Sequence, residues 1–382
     1  MEALEKLLAR VRESPTELAR AKQQGVKIVG YTPGGYFPEE LAYACGVMPV
    51  ALLRGGDHEA IIAAGPYLAR FLDTFCRAQI GYRILGEEPL YQIVDLVVAM
   101  VGDNHVRAIA ESWEFWTDVE VLKLAVPANK TRHGFEYYLE AIYRLKDKLE
   151  ELTNNKLSEP RLKEEINLAN RMRGLINQIS LLRKYERPQI SGKDFMMLNH
   201  ASFFADRNII VETLKSILQD LKKKEKALPK GPRVMIIGST LAIGDYKVVD
   251  MLEETGAAIV FEDFAEGMRH YSQKVDVNGD PIKALAQMYF MKRLPPAYAK
   301  PATSERFAYF LDKAKEFNVD GIVWYSLMYR DTYDMEGFLF EKVAGEKGFP
   351  VLKINSDYDY SEKETLRTRI ETFTEMMKWR TK

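Results

Sequence analysis

Short apolar runs, rich in β-branched residues, alternate with segments in which apolar residues recur at helical spacing. In the first third of the chain these runs are VKIVGY (26–31), VMPVALL (47–53), VDLVVAMV (94–101) and VLKLAVP (121–127). A later set comprises RVMIIGS (233–239), AAIVFED (257–263), DGIVWYSLMY (320–329) and FPVLKINS (349–356). Such runs are typical of buried parallel strands joined by crossover helices. The pattern predicts an α/β fold with two Rossmann-like lobes, each built on a parallel sheet.

The segment between the two sets is predicted to be nearly continuous helix. Apolar residues recur at helical spacing in YYLEAIYRLKDKLEEL and again in IIVETLKSILQDL. The lysine-rich KKKEKALPKGP (222–232) predicts an exposed linker, with a phosphate-binding role as the weaker alternative. The sequence therefore predicts three parts: an N-terminal α/β lobe (1–134), a helical region (135–225) and a C-terminal α/β lobe (226–382).

Polar side chains follow one strand in each predicted sheet. The strand that opens at Asp95 ends in GDNH (102–105), and the strand that opens at Asp320 ends in YRD (329–331). In open parallel sheets, ligands bind outside the carboxyl ends of the strands. We therefore expect a cleft between the lobes that is bordered by Cys76, Asp103, His105, Tyr329, Arg330 and Asp331.

The charge balance of the chain limits its partners. Its 382 residues include 54 Lys and Arg against 55 Asp and Glu, a net charge of −1. Nucleic-acid binding needs a basic excess, so no nucleic-acid partner is expected.

The opening MEALEKLLARVRESPTELARAKQQG predicts a charged amphipathic helix rather than a signal peptide, and no apolar stretch of about 18 residues follows. We expect a cytoplasmic protein without membrane contact.

The chain has two cysteines, Cys45 and Cys76, which leaves neither a disulfide framework nor a CxxC zinc pattern. Cys76 lies in DTFCRAQIGYRIL, just ahead of a predicted helix, where free amide groups could stabilise a thiolate or a sulfur ligand. The alternative is a small buried apolar residue. Cys45 lies on a helical pattern beside alanines and is expected in the core.

Other motifs are weak. Histidines 58, 105, 133, 200 and 270 show neither paired spacing nor HExxH, and no GxSxG motif marks a hydrolase. The glycines of GSTLAIGDYK (238–247) could present amides to a phosphate, or could form a tight turn. In FEDFAEGMRHY (261–271) the charged residues could form a network at the cleft or a solvated first helical turn; these residues are Glu262, Asp263, Glu266 and Arg269.

Four blocks follow one another in the order and spacing of a known family. They are YTPGGYFPEELAYACGVMPVAL (31–52), FEDFAEGMRHY (261–271), DGIVWYSLMYRDTYD (320–334) and LRTRIETFTEMM (366–377). Together they resemble the smaller catalytic subunit of the 2-hydroxyacyl-CoA dehydratases and ATP-dependent benzoyl-CoA reductases. The resemblance implies a heteromer with a related cluster-bearing subunit. It also implies an acyl-CoA substrate and a separate ATP-dependent activator that delivers one electron at low potential.

The resemblance also implies a [4Fe-4S] cluster held by three cysteines. Cys76 matches the first of them, while Gly102 and Arg330 stand where the other two are expected, each followed by the family's aspartate, Asp103 or Asp331. Cluster iron favours anionic sulfur, which neither a glycine nor an arginine supplies. A family-type cluster is therefore not expected in this chain.

Two interpretations of this subunit follow. In the favoured one it is a cluster-free partner that shapes the substrate cleft, and Arg330 pairs with Asp103, the first candidate, with Asp331, or with an anionic ligand. In the other it holds a modified metal site; the candidate ligands are Cys76, Asp103, His105 and Tyr329. Outside this class, a non-enzymatic two-lobed protein that binds a CoA-like or other anionic ligand stays open, as does an unrelated α/β enzyme.

Overall fold

In the computed structural model, which describes residues 2–204, 206–223, 228–295 and 302–380, two separate parallel sheets form the framework. The N-terminal lobe has strand order β2-β1-β3-β4 and the C-terminal lobe has β6-β5-β7-β8. The strands are β1 (Lys27–Tyr31), β2 (Val47–Ala51), β3 (Leu96–Val101), β4 (Glu120–Ala125), β5 (Arg233–Thr240), β6 (Ala258–Glu266), β7 (Gly321–Leu327) and β8 (Val351–Ser356). The predicted α/β class with two Rossmann-like lobes is confirmed.

Helices flank both sheets. Those of the first half are α1 (Glu2–Gln23), α2 (Glu39–Ala44), α3 (His58–Ala64), α4 (Thr74–Leu85), α5 (Pro89–Gln92), α6 (Asn104–Trp116), α7 (Arg132–Thr153) and α8 (Glu159–Leu181). Those of the second half are α9 (Gly192–Ala201), α10 (Arg207–Lys223), α11 (Lys247–Glu254), α12 (Pro281–Ala286), α13 (Ala302–Glu316), α14 (Asp331–Glu346) and α15 (Lys363–Arg380). A 3₁₀ turn covers Leu182–Lys184 and a π-helical turn covers Gln287–Met291. No helix of the described ranges is apolar enough over its length to cross a membrane.

The predicted helical middle consists of α7, α8, α9 and α10. Helix α1 contacts α9 and α10, and its Leu4 and Leu7 share a core with the apolar faces of α8 to α10. The N-terminal helix therefore packs on the helical region as well as on the first lobe, and the division of the chain at residues 134 and 225 stays a prediction. The linker predicted at 222–232 lies partly outside the described residues, at 224–227.

The two lobes are joined by backbone contacts between two glycine-containing loops. The N–H of Gly55 donates to the carbonyl oxygen of Ile243 at 2.8 Å, and the N–H of Ile243 donates to the carbonyl oxygen of Leu53 at 3.0 Å. Gly244 has φ +103, and a Cβ there would lie 2.2 Å from the carbonyl oxygen of Gly55. In GSTLAIGDYK, the glycine at 244 thus allows a close backbone crossing that a side chain would block.

Candidate functional site

The carboxyl ends of the two sheets meet around the guanidinium group of Arg330, whose side chain is 1% exposed. Its Nη1 lies 2.5 Å from Asp73 Oδ2, and its Nη2 lies 2.6 Å from both Asp103 Oδ2 and Glu266 Oε1. Asp73 and Asp103 come from the N-terminal lobe, whereas Glu266 and Arg330 come from the C-terminal lobe. These four residues, which we call the Arg330 site, join the lobes by charge-assisted hydrogen bonds.

The two aspartates of the site also begin helices. Asp73 is the N-cap of α4, and its Oδ1 accepts the backbone N–H of Cys76 at 2.7 Å. Asp103 is the N-cap of α6, and its Oδ1 accepts two backbone N–H groups at 3.0 and 2.9 Å. Aspartate is a favoured N-cap residue because its oxygen satisfies free N–H groups of the first turn. Each carboxylate thus gives one oxygen to its helix and the other to Arg330, which fixes both orientations.

Cys76 and His105 lie beside the Arg330 site. Cys76 is in the first turn of α4 rather than ahead of it, is fully buried, and donates its thiol hydrogen to the carbonyl oxygen of His105 at 3.1 Å. Burial raises the pKa of the Cys76 thiol well above its usual value, and the charge of Asp73 adds to this. His105 Nδ1 lies 3.1 Å from Asp73 Oδ2. At neutral pH the sulfur is therefore a thiol and not an exposed thiolate.

The three carboxylates around Arg330 are not equivalent. Burial raises the pKa of Glu266 to about 7, and the charges of Asp103 and Asp73 add to the rise although Arg330 opposes it. For Asp103 burial acts in the same direction, but Arg330 and the helical N–H groups outweigh it and lower the pKa. One guanidinium faces three carboxylates, and of the two whose pKa is shifted Glu266 takes up a proton more readily than Asp103.

Tyr329 and Asp331 flank the Arg330 site without entering it. Tyr329 has φ +69, which is unusual for a residue with a side chain, and its ring is 40% exposed and packs edge-on against Phe71 at 5.7 Å. Asp331 is exposed in the first turn of α14. Within the described ranges Arg330 pairs with Asp103, as expected, and not with Asp331.

The charged residues of FEDFAEGMRHY (261–271) are spread over separate contacts. Strand β6 extends to Glu266, three residues beyond the predicted run, so the alternative of a solvated helical turn is wrong. Glu262, Glu266 and Arg269 each have a different ionic partner: Arg183, Arg330 and Glu39, respectively. Of the four charged residues predicted there, only Glu266 enters the Arg330 site. Asp263 faces the other side of the sheet because side chains alternate along a strand, Glu262 lies four residues before the strand end, and Arg269 lies beyond it.

Sequence reasoning missed Asp73 as a partner of Arg330. The two residues are 257 positions apart, so no local pattern relates them. A partial signal was present in DTFC (73–76), where an aspartate directly precedes a helix and is typical of an N-cap. That signal identifies a helix start but does not reveal that the second carboxylate oxygen faces the other lobe.

The residues around Arg330 do not fit an iron-sulfur cluster held by three thiolates. Cys76 is the one cysteine at the Arg330 site, and Cys45 is buried in a different core. Gly102 has no side chain, although the nearest atom to a Cβ there, Val126 Cβ, would be 3.9 Å away, so the space is open. Within the part of the chain that the structure describes, no three His, Cys, Asp or Glu side chains are grouped to hold a metal ion.

The geometry defines a class of two-lobed parallel α/β proteins whose lobes meet in a buried ionic site at the strand ends. The chain belongs to the family of the 2-hydroxyglutaryl-CoA dehydratase D-component, which matches residues 35–377. The resemblance predicted from the four sequence blocks is thereby confirmed.

Several proteins named as parts of larger enzymes are similar to the chain over nearly its full length. The (R)-phenyllactyl-CoA dehydratase beta subunit of Clostridium sporogenes is 23% identical, with 93% of each chain covered. One of the subunits of the benzoyl-CoA reductase of Thauera aromatica is 22% identical, covering 92% of this chain and 91% of that protein. The beta subunit of the (R)-2-hydroxyglutaryl-CoA dehydratase of Acidaminococcus fermentans is 22% identical, covering 96% and 97%. The chain is therefore similar to subunits of both dehydratases and a reductase.

Proposed function

We propose that this chain is a cluster-free subunit of a cytoplasmic, heteromeric enzyme that acts on an acyl-CoA thioester, by dehydration or by reduction. In this proposal a related sister chain holds the iron-sulfur cluster, and a separate ATP-dependent activator supplies the electron. Family membership over residues 35–377 and the names of the relatives support the assembly and the substrate class.

The observation that carries the proposal is the position of the Arg330 guanidinium. It lies between the strand ends of both lobes, beside Cys76, and is held by Asp73, Asp103 and Glu266. A cation fixed by carboxylates from both lobes holds the lobes together at the strand ends. The part assigned to this chain is therefore to shape the cleft, while the reacting cofactor belongs to the partner.

Co-purification tests the assembly. The chain is to be co-expressed anaerobically, with and without a cysteine-bearing member of its family from the same source, and iron and acid-labile sulfide measured per chain. We expect a stable heteromer whose iron follows the sister chain, and no stoichiometric iron in this chain alone. A monomer of this chain with full dehydratase or reductase activity would refute the proposal, as would a complete cluster in the chain alone.

Restoring the two missing thiols tests the residue matching. The double variant Gly102→Cys with Arg330→Cys places both sulfurs beside Cys76, and the open space at Gly102 accommodates the new side chain. After anaerobic reconstitution we expect cluster absorbance and more bound iron than in the unmodified chain. The matched control carries the same two changes plus Cys76→Ala and should lose that gain. If the double variant folds but binds no additional iron, the matched positions do not form a common pocket.

A further inference from the structure

A cavity of about 280 Å³ lies between the loop after β1, the end of β6 and the π-helical turn Gln287–Met291. Among the described residues its lining excludes Cys76, Asp103 and Arg330, so it is distinct from the Arg330 site. Much of its wall is apolar and is formed by Phe37, Phe203, Met268 and Met288. A concave apolar space with a few polar groups is the usual form of a small-molecule site.

Arg293 supplies an uncompensated cation at this cavity. Its side chain is buried, with the residue 9% exposed, and its Nη2 donates to the carbonyl oxygen of Ala265 at 2.7 Å. Its Nε and Nη1 have no hydrogen-bond partner in the described ranges, and the undescribed segment 296–301 contains no Asp or Glu. The guanidinium lies over the ring of Tyr36, 4.6 Å from the ring centroid. A buried guanidinium without a hydrogen-bonded anion is still costly, so Arg293 favours a partner beyond those that the described residues supply.

The other buried cations of the cavity differ from Arg293 in this respect. Arg269 Nη1 lies 2.7 Å from Glu39 Oε2, and Arg173 Nη2 lies 2.6 Å from Glu40 Oε1. Both charges are therefore compensated within the protein. Among the described buried cations of the cavity, the contrast singles out Arg293 as the one without a hydrogen-bonded anion.

Two further polar groups face the cavity near Arg293. The ring of His270 is held neutral because burial, and then the charge of Arg293, lower its pKa well below the usual value, and its Nε2 has no partner in the described chain. Asp263 also lines the cavity; burial raises its pKa to about 7 against the opposing effect of Arg293 and Arg306. Neither group provides Arg293 with a hydrogen-bonded anion.

The backbone around Arg293 is specialised. The π-helical turn ends at Met291, two residues before Arg293, and π-turns are rare and occur often at functional sites. Gly35, with φ +72, faces the guanidinium so closely that a Cβ there would lie 2.1 Å from Nη1. The missing side chain at Gly35 therefore leaves the space that the guanidinium of Arg293 occupies, directly after the π-helical turn.

We propose that this cavity binds a small monocarboxylate group, whose carboxylate pairs with Arg293 and whose apolar body packs against Phe37, Phe203, Met268 and Met288. One uncompensated cation matches one negative charge. The cavity is near the lower end of the range for ligand sites, roughly 300 to 1,000 Å³, which fits a small acid and not a complete coenzyme A. The carboxylate can belong to a free acid or to the far end of an acyl chain. The free-acid form does not depend on the function proposed above.

Calorimetric titration of the purified full-length chain tests the site, with phenylacetate as the probe and phenylacetamide as its neutral counterpart. We expect phenylacetate to bind and phenylacetamide to bind at least about tenfold more weakly, because it lacks the charge that pairs with Arg293. Glutaryl-CoA and butyryl-CoA, which differ by the terminal carboxylate, identify the source. If glutaryl-CoA binds more tightly than butyryl-CoA and phenylacetate does not bind, the natural carboxylate is the far end of an acyl chain. If phenylacetate binds and the two thioesters bind alike, it is a free acid.

Variants localise the effect. Arg293→Met keeps the apolar stem and should weaken binding of the preferred carboxylate by about tenfold or more, whereas Arg293→Lys keeps a charge and should retain part of it. Lys283→Gln removes an exposed charge on α12, outside the cavity lining, and is the matched control, expected to bind like the unmodified chain. If Arg293→Met does not fold, the comparison of Arg293→Lys with Lys283→Gln decides. The proposal fails if no carboxylate probe binds, if the neutral probes bind equally well, or if Lys283→Gln weakens binding as much as the Arg293 variants.

Discussion

The two lobes have the same strand order but differ at the end of their third strand. In both, the aspartate that precedes this strand is bound to the neighbouring strand: Asp95 exchanges hydrogen bonds with Ile28, and Asp320 does so with Arg233, at 2.8 Å in each case. At the other end, the N-terminal lobe has Gly102 followed by Asp103, which caps α6. The C-terminal lobe has Tyr329 followed by Arg330, which makes no side-chain cap for α14.

The residues at the strand starts and those at the strand ends therefore serve different purposes. The strand-start aspartates satisfy backbone groups inside one lobe, so they serve the fold of each lobe independently. The strand-end residues Asp103 and Arg330 bind each other across the lobes and are therefore complementary rather than equivalent. Two lobes of the same topology can thus form one site because each supplies the charge that the other lacks.

Removing Arg330 should have the largest effect on stability. Arg330→Ala leaves two buried carboxylates and the partly exposed Asp103 without their cation. Breaking a buried pair from one side costs about 3 to 5 kcal/mol in free energy of unfolding. Urea denaturation measures the loss. Arg330→Lys keeps the charge and should lose less stability than Arg330→Ala. It should still lose some, because a lysine lacks the planar guanidinium that contacts three carboxylates. Arg367→Ala removes an exposed pair with Glu254 and should cost far less than Arg330→Ala. Equal losses of stability in Arg330→Ala and Arg367→Ala would contradict the proposal that the Arg330 site holds the lobes together.

The strand-start aspartates should matter less than Arg330 and to a similar degree in the two lobes. Asp95→Ala and Asp320→Ala each leave a strand N–H without its acceptor, which costs about 1 to 3 kcal/mol in free energy of unfolding. The corresponding asparagine variants keep an acceptor oxygen and serve as controls with smaller losses. A large loss from one alanine variant and none from the other would show that the two lobes do not share this framework contact.

The smallest expected effect is a change in the pH dependence of stability. The pKa of Glu266 is about 7 in the folded chain, against an ordinary value of 4.5, because of burial and the nearby aspartates. The folded state therefore binds a proton that the unfolded state releases, and this contribution to stability is present at low pH and is lost as the pH rises from 4.5 towards 7. Glu266→Gln should flatten the dependence of unfolding free energy on pH in that window.

Thr240 provides the matched control for Glu266. Its hydroxyl donates to Glu266 Oε2 at 3.0 Å and lowers the pKa of the carboxyl group. Thr240→Val should therefore raise that pKa further and steepen the fall of stability with pH, opposite in direction to Glu266→Gln. If both variants leave the pH profile of the unmodified chain unchanged, Glu266 does not titrate in this range.

The strand framework was largely predictable from local pattern. The eight apolar runs each overlap one observed strand, and the differences are at their ends. For example, β7 stops at Leu327, short of the predicted Tyr329, and β6 continues to Glu266 beyond the predicted Asp263. Buried parallel strands need apolar residues on both faces, so the local sequence predicts where a strand is present. The exact ends of a strand depend on neighbouring elements.

The pattern of apolar runs placed Asp103 and Arg330 at strand ends that border one cleft, and the family resemblance then led to the prediction that they pair. The third and fourth members of the Arg330 site, Asp73 and Glu266, were not predicted as its partners. Asp73 has a local use as an N-cap, and Glu266 lies at the end of a strand whose length was underestimated. The functional roles of Cys76, His105, Tyr329 and Asp331 stay predictions.

Local sequence was sufficient for the α/β class, the two sets of parallel strands and the helical middle, because each of these depends on residue type or on periodicity within a short window. The three carboxylates around Arg330, and the cavity in which Arg293 has no hydrogen-bonded anion among the described residues, became visible only in the folded chain. Both features depend on which distant residues share a buried volume. Charge compensation in a protein interior is set by distance in space, and no local pattern encodes it.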